Sequence, residues 1–264
     1  MYFANKVIWI TGASSGIGEE LAIQLSKSGA SLVLSSRRQE ELIKVRGKCG
    51  LSPEKCMVLP LDMTDSGIFF EAVRKVTEKF GKIDILINNA GISQRSLIID
   101  TSEDVYRRIM EINFFGVINL TRNILPNMIK NGGGQIVIIS SVVGRFGFPM
   151  RSGYSASKHA LHGFLETMRI EMKNKNISIC MVLPGRINTN ISVNAVVADG
   201  SSYGIMDEGQ KTGIPVNKAC RKIIKAIRQN KPEVVIGRGE KFLLLMKRCC
   251  PAIFFRVSSK IKPT

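Results

Sequence analysis

The sequence predicts a single α/β domain, built as a doubly wound parallel sheet of seven strands with helices on both faces. Short apolar runs, the early ones bounded by Gly, Asp or Pro, alternate with segments of helical periodicity along the whole chain. At 264 residues the chain is long enough to bury a sizeable core in one domain. The strands are expected at 6–12, 31–36, 56–61, 83–88, 134–140, 177–183 and 232–236, and the long helices at 102–130 and 152–175.

Composition narrows the class of protein. The six cysteines form no Cys-x-x-Cys pair and the chain has two histidines, so we expect neither a metal site nor a disulfide framework. The sequence has no run of eighteen apolar residues and no basic-then-apolar leader. We therefore expect no signal peptide and no transmembrane helix, and a cytoplasmic protein, with contact to a membrane surface left open.

The first strand runs directly into a glycine-rich turn. Lys6–Thr11 is a β-branched apolar run, and Gly12-Ala-Ser-Ser-Gly16-Ile-Gly18 follows it and opens a helix. Strand, glycine turn and helix in this order favour a dinucleotide site, because the backbone can approach a pyrophosphate and the helix N-terminus offers free N–H groups. The alternative is a tight turn between packed elements.

A tyrosine and a lysine four residues apart lie on a later helix. The i, i+4 spacing places Tyr154 and Lys158 on one helix face. A phenol has an ordinary pKa of ~10, and a nearby ammonium is expected to lower that pKa toward working pH. Taken alone, the pair fits the apolar–polar border of a helix equally well.

The motifs converge on one place in the predicted sheet. Gly12, Asn88, Ser141 and Pro184 all fall at predicted carboxyl ends of strands. Ligands of doubly wound sheets bind outside these ends, where the strand order reverses. We therefore expect the motifs to line one crevice.

These motifs, in this order, resemble the short-chain dehydrogenase/reductase family in its shorter-subunit, NADP-type branch. The resemblance covers roughly 5–237 and includes Thr11–Gly18, Asn88–Gly91 and Pro184-Gly185, together with Asn113, Ser141, Tyr154 and Lys158. Segments 92–97, 157–161 and 192–195 are most similar to the orphan dehydrogenase/reductases called member 7.

The resemblance implies a Rossmann fold and an NADP(H)-dependent reaction. In it Tyr154 exchanges a proton with the substrate, Lys158 lowers the tyrosine pKa and holds the nicotinamide ribose, Ser141 stabilises the oxyanion, and Asn113 holds a water next to Lys158. Thr189 is expected to bind cofactor near the nicotinamide, with Asn190 as a local alternative. The implied cofactor-binding residues are Gly12, Ser14, Ser15, Gly16, Ile17, Gly18, Arg37, Arg38, Asp62, Met63, Asn89, Ala90, Gly91, Tyr154, Lys158, Pro184, Gly185, Ile187 and Thr189.

The end of the second strand favours NADP(H) over NAD(H). Ser36 stands where an NAD enzyme carries an acidic residue for the ribose hydroxyls, and Arg37 and Arg38 follow it. Guanidinium groups match a 2′-phosphate in charge and geometry, and Arg37 is the better candidate. The alternative is that both arginines begin a solvated helix.

The substrate is predicted to be a hydrophobic carbonyl or alcohol, such as a steroid, retinoid, quinone or lipid aldehyde. Val142, Val143, Phe146, Phe148 and Met150 lie between Ser141 and Tyr154 and suggest an apolar wall. Segment 188–215 has the length of a substrate loop or lid. Its Tyr203, Ile205 and Met206 either cover an apolar ligand or pack the loop against the domain. The alternative substrate is a 3-oxoacyl group on an acyl carrier protein.

The C-terminal segment carries most of the positive charge. Residues 211–264 contain 14 Lys and Arg against 2 Asp and Glu, in a chain of net charge +17. We divide the chain into a catalytic domain at 1–237 and a basic amphipathic extension at 238–264. The extension either lies on an anionic membrane, covers the substrate pocket or closes the oligomer. The family resemblance implies a homodimer or homotetramer formed through the two long helices. A non-catalytic nucleotide-binding, membrane-docking protein is the alternative function, and nucleic acid is not an expected partner.

Overall fold

A computed structural model describes residues 2–258 and contains one seven-stranded sheet in which every pair of neighbouring strands is parallel. The strand order is β3-β2-β1-β4-β5-β6-β9, so the order reverses between β1 and β4. Two short strands, β7 and β8, form a separate parallel pair. The strands are β1 Val7–Thr11, β2 Ser31–Ser35, β3 Cys56–Val58, β4 Ile85–Asn88, β5 Gly134–Ile139, β6 Ile177–Pro184, β7 Ile187–Asn188, β8 Ile214–Pro215 and β9 Glu233–Ile236. The predicted fold class is confirmed.

Helices cover both faces of this sheet. Successive residues of β1 alternate between two apolar clusters, with Trp9 in one and Ile8 and Ile10 in the other. All five β1 residues are buried, as expected for a parallel strand covered on both faces. The helices are α1 Gly16–Ser26, α2 Gln39–Cys49, α3 Phe69–Phe80, α4 Glu103–Met110, α5 Gly116–Lys130, α6 Ser152–Glu171, α7 Glu208–Lys211, α8 Val216–Arg228, α9 Glu240–Cys249 and α10 Pro251–Ser258.

The two long helices differ in detail from the sequence-based prediction. Helical backbone runs from Glu103 to Lys130, but a π-helical turn at Glu111–Phe115 separates α4 from α5. Such turns are rare and concentrate at functional sites, and this one carries Asn113. α6 ends at Glu171 and is followed by a 3₁₀ turn at Lys173–Lys175, so the predicted helix end at 175 is slightly late.

The predicted substrate segment 188–215 is packed against the domain rather than extended into solvent. Its ends are β7 and β8, which pair with each other. Its middle is anchored by Val196, which forms bridges with Gln94 and Ser202. Ser192 is buried and its hydroxyl accepts a hydrogen bond from the backbone N–H of Asp207 at 3.1 Å. These contacts hold the segment beside the carboxyl end of the sheet.

The C-terminal extension packs onto the same end of the molecule. Phe254 of α10 is only 2% exposed and its ring lies 5.4 Å from that of Phe146. Lys247 of α9 donates a hydrogen bond to the carbonyl of Arg145 at 2.6 Å. The extension thus covers the loop after β5. Positions 259–264 of the predicted extension lie outside the described residues.

No helix between residues 2 and 258 is both long and apolar enough to cross a membrane.

Candidate active site

The turn after β1 has a backbone that only glycine accommodates. Gly12 and Gly16 have φ angles of +64° and +59°, in the left-handed region. A Cβ on Gly12 would lie 2.8 Å from the Cα of Ala90, and one on Gly18 would lie 2.3 Å from the carbonyl oxygen of Gly12. The turn is therefore tight, bare of side chains at these positions, and leads directly into the N-terminus of α1.

Asn89 joins this turn to the end of β4. Its Nδ2 donates to the carbonyl oxygens of Thr11 at 3.1 Å and Gly12 at 3.0 Å. In return, the Thr11 hydroxyl accepts from the backbone N–H groups of Asn89 and Ala90, both at 3.1 Å. These bonds fix Asn89, Ala90 and Gly91 beside the glycine turn, at the reversal of the strand order.

A cleft of about 420 Å³ extends from the turn toward the carboxyl ends of β2 and β3. Arg38 reaches back over the turn, and its Nη2 donates to the hydroxyls of Ser14 at 3.0 Å and Ser15 at 3.3 Å. Asp62 accepts from the backbone N–H and hydroxyl of Thr64. The lining of this cleft includes Ser36 and the predicted cofactor-binding residues Gly12, Ser14, Ser15, Gly16, Ile17, Arg37, Arg38, Asp62, Met63, Asn89, Ala90 and Gly91.

This cleft continues into a second cavity of about 450 Å³. Ile17, Asn89, Gly91, Thr189 and Ile191 line both, so the two form one crevice along the carboxyl ends of the strands. Its shape and its bare glycine turn fit an elongated dinucleotide whose pyrophosphate lies at the start of α1. The residues present therefore fit the implied nicotinamide cofactor.

The second cavity brings Ser141, Tyr154 and Lys158 together, as the sequence predicts. Tyr154 and Lys158 lie one turn apart on α6, and Ser141 follows β5. Ser141 lies close enough to the Tyr154 phenol to act on its pKa, which it lowers. Ser141 also donates to the carbonyl of Pro184 at 3.3 Å and accepts from the backbone N–H of Val143 at 3.3 Å, which fixes its position.

Lys158 is buried at the bottom of the site. Its ammonium donates to the carbonyl of Ile139 at 3.0 Å and lies 5.8 Å from the centre of the Tyr154 ring. Burial destabilises the charged form and lowers the pKa of Lys158 from 10.5 to about 8. Lys158 is thus a cation that the fold holds at a free-energy cost.

The pKa of Tyr154 is raised, whereas the sequence predicts that it is lowered. Burial raises the pKa of the Tyr154 phenol above its ordinary value, and this effect outweighs the lowering by the Ser141 hydrogen bond and by the charges of Arg151 and Arg95. The expectation of a lowered pKa was wrong because the i, i+4 spacing reports a neighbouring cation but not the loss of water around the phenol.

Asn113 is fully buried, which excludes a role as a surface or capping amide. Its Nδ2 donates to the carbonyl of Ile92 at 2.9 Å and the hydroxyl of Ser157 at 3.1 Å, and its Oδ1 accepts from the Ile92 N–H at 2.9 Å. A Cβ on Gly91 would meet Asn113 Oδ1 at 3.0 Å and Lys158 Nζ at 3.6 Å. The π-helical turn therefore places Asn113 next to Lys158.

The segment after β6 closes the crevice from the other side. Pro184, Gly185, Ile187 and Thr189 all line the second cavity. A Cβ on Gly16 would lie 3.4 Å from Cγ2 of Thr189, so Thr189 faces the glycine turn across the crevice. Asn190 lines the cleft of the other half.

The predicted apolar wall forms in part. Val142, Val143, Phe146 and Phe148 line the cavity, whereas Met150 is not among its lining residues. Tyr203, Ile205 and Met206 do not line the cavity either, so they are not its lid. Instead, the Met206 sulfur accepts a hydrogen bond from the Ser192 hydroxyl at 3.6 Å. The sequence assigned no individual role to the following lining residues: Ser93, Arg95, Arg151, Arg186, Arg238, Glu240 and Leu243. Ile191, Gln210 and Ile214 also line the cavity and belong to the predicted substrate segment 188–215.

Sequence comparisons agree with this geometry. The family model for short chain dehydrogenase matches residues 6–199. Dehydrogenase/reductase SDR family protein 7-like of Drosophila melanogaster is 39% identical over 261 residues, which is 97% of this chain and 80% of that protein. Human dehydrogenase/reductase SDR family member 7 is 42% identical over 246 residues, covering 91% of this chain and 72% of that protein.

Solved structures are similar over nearly the whole chain. A short-chain dehydrogenase from Streptomyces avermitilis superposes with a TM-score of 0.82 at 28% identity, over 96% of this chain and 98% of that one. A short chain dehydrogenase from Burkholderia cenocepacia, in complex with NADP, also gives a TM-score of 0.82, at 25% identity over 97% and 99%. The resemblance inferred from the motifs is confirmed.

The buried ammonium of Lys158 predicts a pH-dependent stability difference. Replacing Lys158 with Met should stabilise the fold at pH 7 by up to about 3 kcal/mol, because each unit of pKa shift corresponds to ~1.4 kcal/mol. Between pH 8 and 10.5 the unfolded wild-type chain binds the proton that the folded chain has released, so wild-type stability rises and the difference narrows. Denaturant unfolding of both proteins at pH 7, 8.5 and 10 checks this. A difference that does not change with pH would contradict it.

Proposed function

The chain belongs to the short-chain dehydrogenase family of oxidoreductases, and we propose that it is an NADP(H)-dependent enzyme that interconverts a hydrophobic carbonyl compound and its alcohol. The observation that carries this proposal is that Ser141, Tyr154 and Lys158 line one cavity, which opens into the dinucleotide cleft. A proton donor and a cofactor site then meet at one point.

The residues around Tyr154 divide the work of proton transfer. A nicotinamide bound in the crevice supplies or accepts the hydride. Tyr154 donates its proton to the substrate oxygen, and the hydroxyl of Ser141 stabilises the charge that develops there. The ammonium of Lys158 stabilises the phenolate that Tyr154 leaves behind. Asn113 holds the Ile92 backbone and Ser157 in place around this ammonium.

The raised pKa of Tyr154 supports the reducing direction near neutral pH. Burial keeps the phenol protonated, which is the form that donates a proton to a carbonyl oxygen. Alcohol oxidation requires the phenolate and is therefore favoured at higher pH.

The adenosine end of the crevice supports NADP(H) as the cofactor. Arg37 and Arg38 bring two guanidinium groups to the lining, beside Ser36 rather than a carboxylate. Both arginines are exposed, and Arg38 is oriented by its hydrogen bonds to the hydroxyls of Ser14 and Ser15. Two cations at this end would attract the additional phosphate of NADP(H).

The substrate half of the crevice supports a hydrophobic ligand. Val142, Val143, Phe146 and Phe148 form one wall, and Leu243 of α9 adds to it from the extension. A steroid, retinoid, quinone or lipid aldehyde has the apolar surface to fill such a wall. The runner-up, a 3-oxoacyl-acyl-carrier-protein reductase, is supported by the basic surface alone.

The two long helices support a homodimer or homotetramer. Phe115 in the π-helical turn and Ile170 near the end of α6 are exposed apolar side chains on these helices. Burying them against a second copy would remove that surface from water.

The extension supports peripheral contact with an anionic membrane. Phe242 and Leu245 of α9 and Ile253 and Phe255 of α10 are exposed. Basic residues flank them, including Lys241 and Arg248. An exposed apolar face with surrounding cations matches the surface of an anionic bilayer in both hydrophobicity and charge.

Removal of the Tyr154 hydroxyl should strongly reduce the turnover rate. Tyr154→Phe is expected to lower kcat by ~10²- to 10⁴-fold, because the general acid is lost, while NADPH affinity stays close to wild type. The matched control is Tyr106→Phe, since the Tyr106 hydroxyl bonds Ser152 and does not line the cavity. Steady-state kinetics and NADPH fluorescence titration measure both. Retained turnover in Tyr154→Phe would overturn the assignment.

Removal of either arginine at the adenosine end should weaken NADPH binding selectively. Arg37→Ala and Arg38→Ala are each expected to raise the Kd for NADPH by about tenfold or more and leave the Kd for NADH nearly unchanged. Ser36→Asp should shift preference toward NADH, because the carboxylate repels the 2′-phosphate. Arg46→Ala, on α2 but outside the cleft, is the control. An equal loss of affinity for NADPH and NADH would contradict the proposal.

Loss of the exposed aromatic side chains should release the protein from vesicles. The double variant Phe242→Ser, Phe255→Ser is expected to weaken flotation with phosphatidylserine-containing liposomes by ~10-fold or more, as two apolar anchors are lost. Phe70→Ser is the control, because Phe70 is equally exposed but lies on α3. Unchanged flotation of the double variant, or no flotation of the wild type, would exclude this membrane contact.

A further inference from the structure

Three charged side chains form a buried cluster beside Tyr154. Arg95, in the segment after β4, donates from Nε to Oδ2 of Asp207 at 3.0 Å, and the two side chains are 1% and 2% exposed. Arg151 at the start of α6 donates from Nη2 to the same Oδ2 at 3.2 Å and is 16% exposed. One carboxylate is therefore shared by two guanidinium groups.

The two arginines are not equally satisfied. Arg95 also donates to the Ser93 hydroxyl at 2.9 Å and the Gln94 carbonyl at 2.6 Å. Among the residues that the structure describes, the bond to Asp207 is the single hydrogen bond recorded for the Arg151 side chain, and its Nε is buried without an acceptor. Its guanidinium packs on the ring of Phe148, 4.9 Å from the centre. Arg151 is the under-compensated cation of the cluster.

Burial makes this imbalance costly. Loss of water, and then the charge of Arg95, lower the pKa of Arg151 to about 10, far below its ordinary value. A buried charge without a full partner is unfavourable unless a further group neutralises it. The cluster has two positive charges and one negative charge, so one more carboxylate would complete it.

The cavity itself provides no such carboxylate. Arg95 and Arg151 both line it, and the acidic residue in the lining is Glu240. Glu240 already accepts from the backbone N–H groups of Arg186 at 2.9 Å and Arg238 at 2.8 Å, at the start of α9. The charge of Arg151 therefore faces a cavity with an apolar wall and no free anion among the described lining residues.

We propose that Arg151 binds a carboxylate of the substrate, so that the substrate is an oxo- or hydroxy-carboxylic acid with a hydrophobic body. This inference rests on the proposed function and narrows its substrate class. Arg151 directly precedes the first residue of α6 and lies three positions before Tyr154, and both residues line one cavity. The carboxylate would pair with the guanidinium while the apolar body contacts Phe148 and Val143, and the reacting oxygen reaches Tyr154. Arg95 and Asp207 orient Arg151.

A pair of aldehydes that differ in charge tests the proposal. Azelaic semialdehyde carries a carboxylate, and its methyl ester does not. Arg151→Met should lower kcat/KM by ~10- to 100-fold for the acid and by less than about threefold for the ester, because a charge-assisted pair is lost from one substrate alone. Arg151→Lys should recover part of the loss. Arg107→Met, which removes an exposed helical ion pair with Glu103, is the control.

An equal loss of kcat/KM for the acid and the ester in Arg151→Met would overturn the proposal, since Arg151 would then act on Tyr154 rather than on a substrate carboxylate. Wild-type protein that treats the acid and the ester alike would overturn it as well.

A binding measurement separates this proposal from the proposed function. Calorimetric titration with phenylbutanoate and phenylbutanamide, in the presence of NADP⁺, needs no turnover. We expect the acid to bind wild-type protein and Tyr154→Phe at least about tenfold more tightly than the amide, and Arg151→Met to bind the two alike. Carboxylate preference without turnover of any substrate would reject the oxidoreductase and keep the anion site. Turnover without carboxylate preference would reject the anion site and keep the oxidoreductase.

Discussion

The close contact between the glycine turn and the end of β4 is the constraint on which the site depends. Asn89 bonds the carbonyls of Thr11 and Gly12, and Thr11 bonds the backbone of Asn89 and Ala90. The two central strands are thereby joined at the point where the strand order reverses, which is where doubly wound sheets bind ligands. The approach is so close that no side chain fits on Gly12 or Gly18. The crevice and the position of the Gly91 backbone follow from it.

Burial of the active site disfavours the ionised forms of its own side chains. Tyr154 and Lys158 are both removed from water, which raises the pKa of the phenol and lowers that of the ammonium. Both shifts disfavour the charged pair that forms after proton transfer. Ser141 and the charges of Arg151 and Arg95 oppose the shift of the phenol. Groups with strongly shifted pKa values are typical of functional sites and reduce stability. The Arg151 cluster repeats this pattern with an incompletely neutralised charge, which is why its partner is sought in the substrate.

The sequence predicted the sheet and the placement of Ser141, Tyr154 and Lys158 in one cavity, because both depend on local patterns. Buried strands are compact apolar runs, and the glycine turn and the Tyr154–Lys158 pair have fixed spacings. The Arg95–Asp207 ion pair spans 112 positions, and no local pattern could reveal it. The pKa of Tyr154 depends on burial by distant elements, and the wrong direction was expected for that reason. Arg151 was within reach, because it lies three positions before Tyr154 in the sequence.

In the proposed reaction, the crevice binds NADPH and a hydrophobic carbonyl compound, and Tyr154 donates the proton during reduction. The most direct measurement follows the oxidation of NADPH and of NADH side by side, with one panel of hydrophobic aldehydes, ketones and quinones. We expect turnover with NADPH, at a kcat/KM at least about tenfold higher than with NADH. Faster turnover with NADH, or none with either cofactor across the panel, would contradict it.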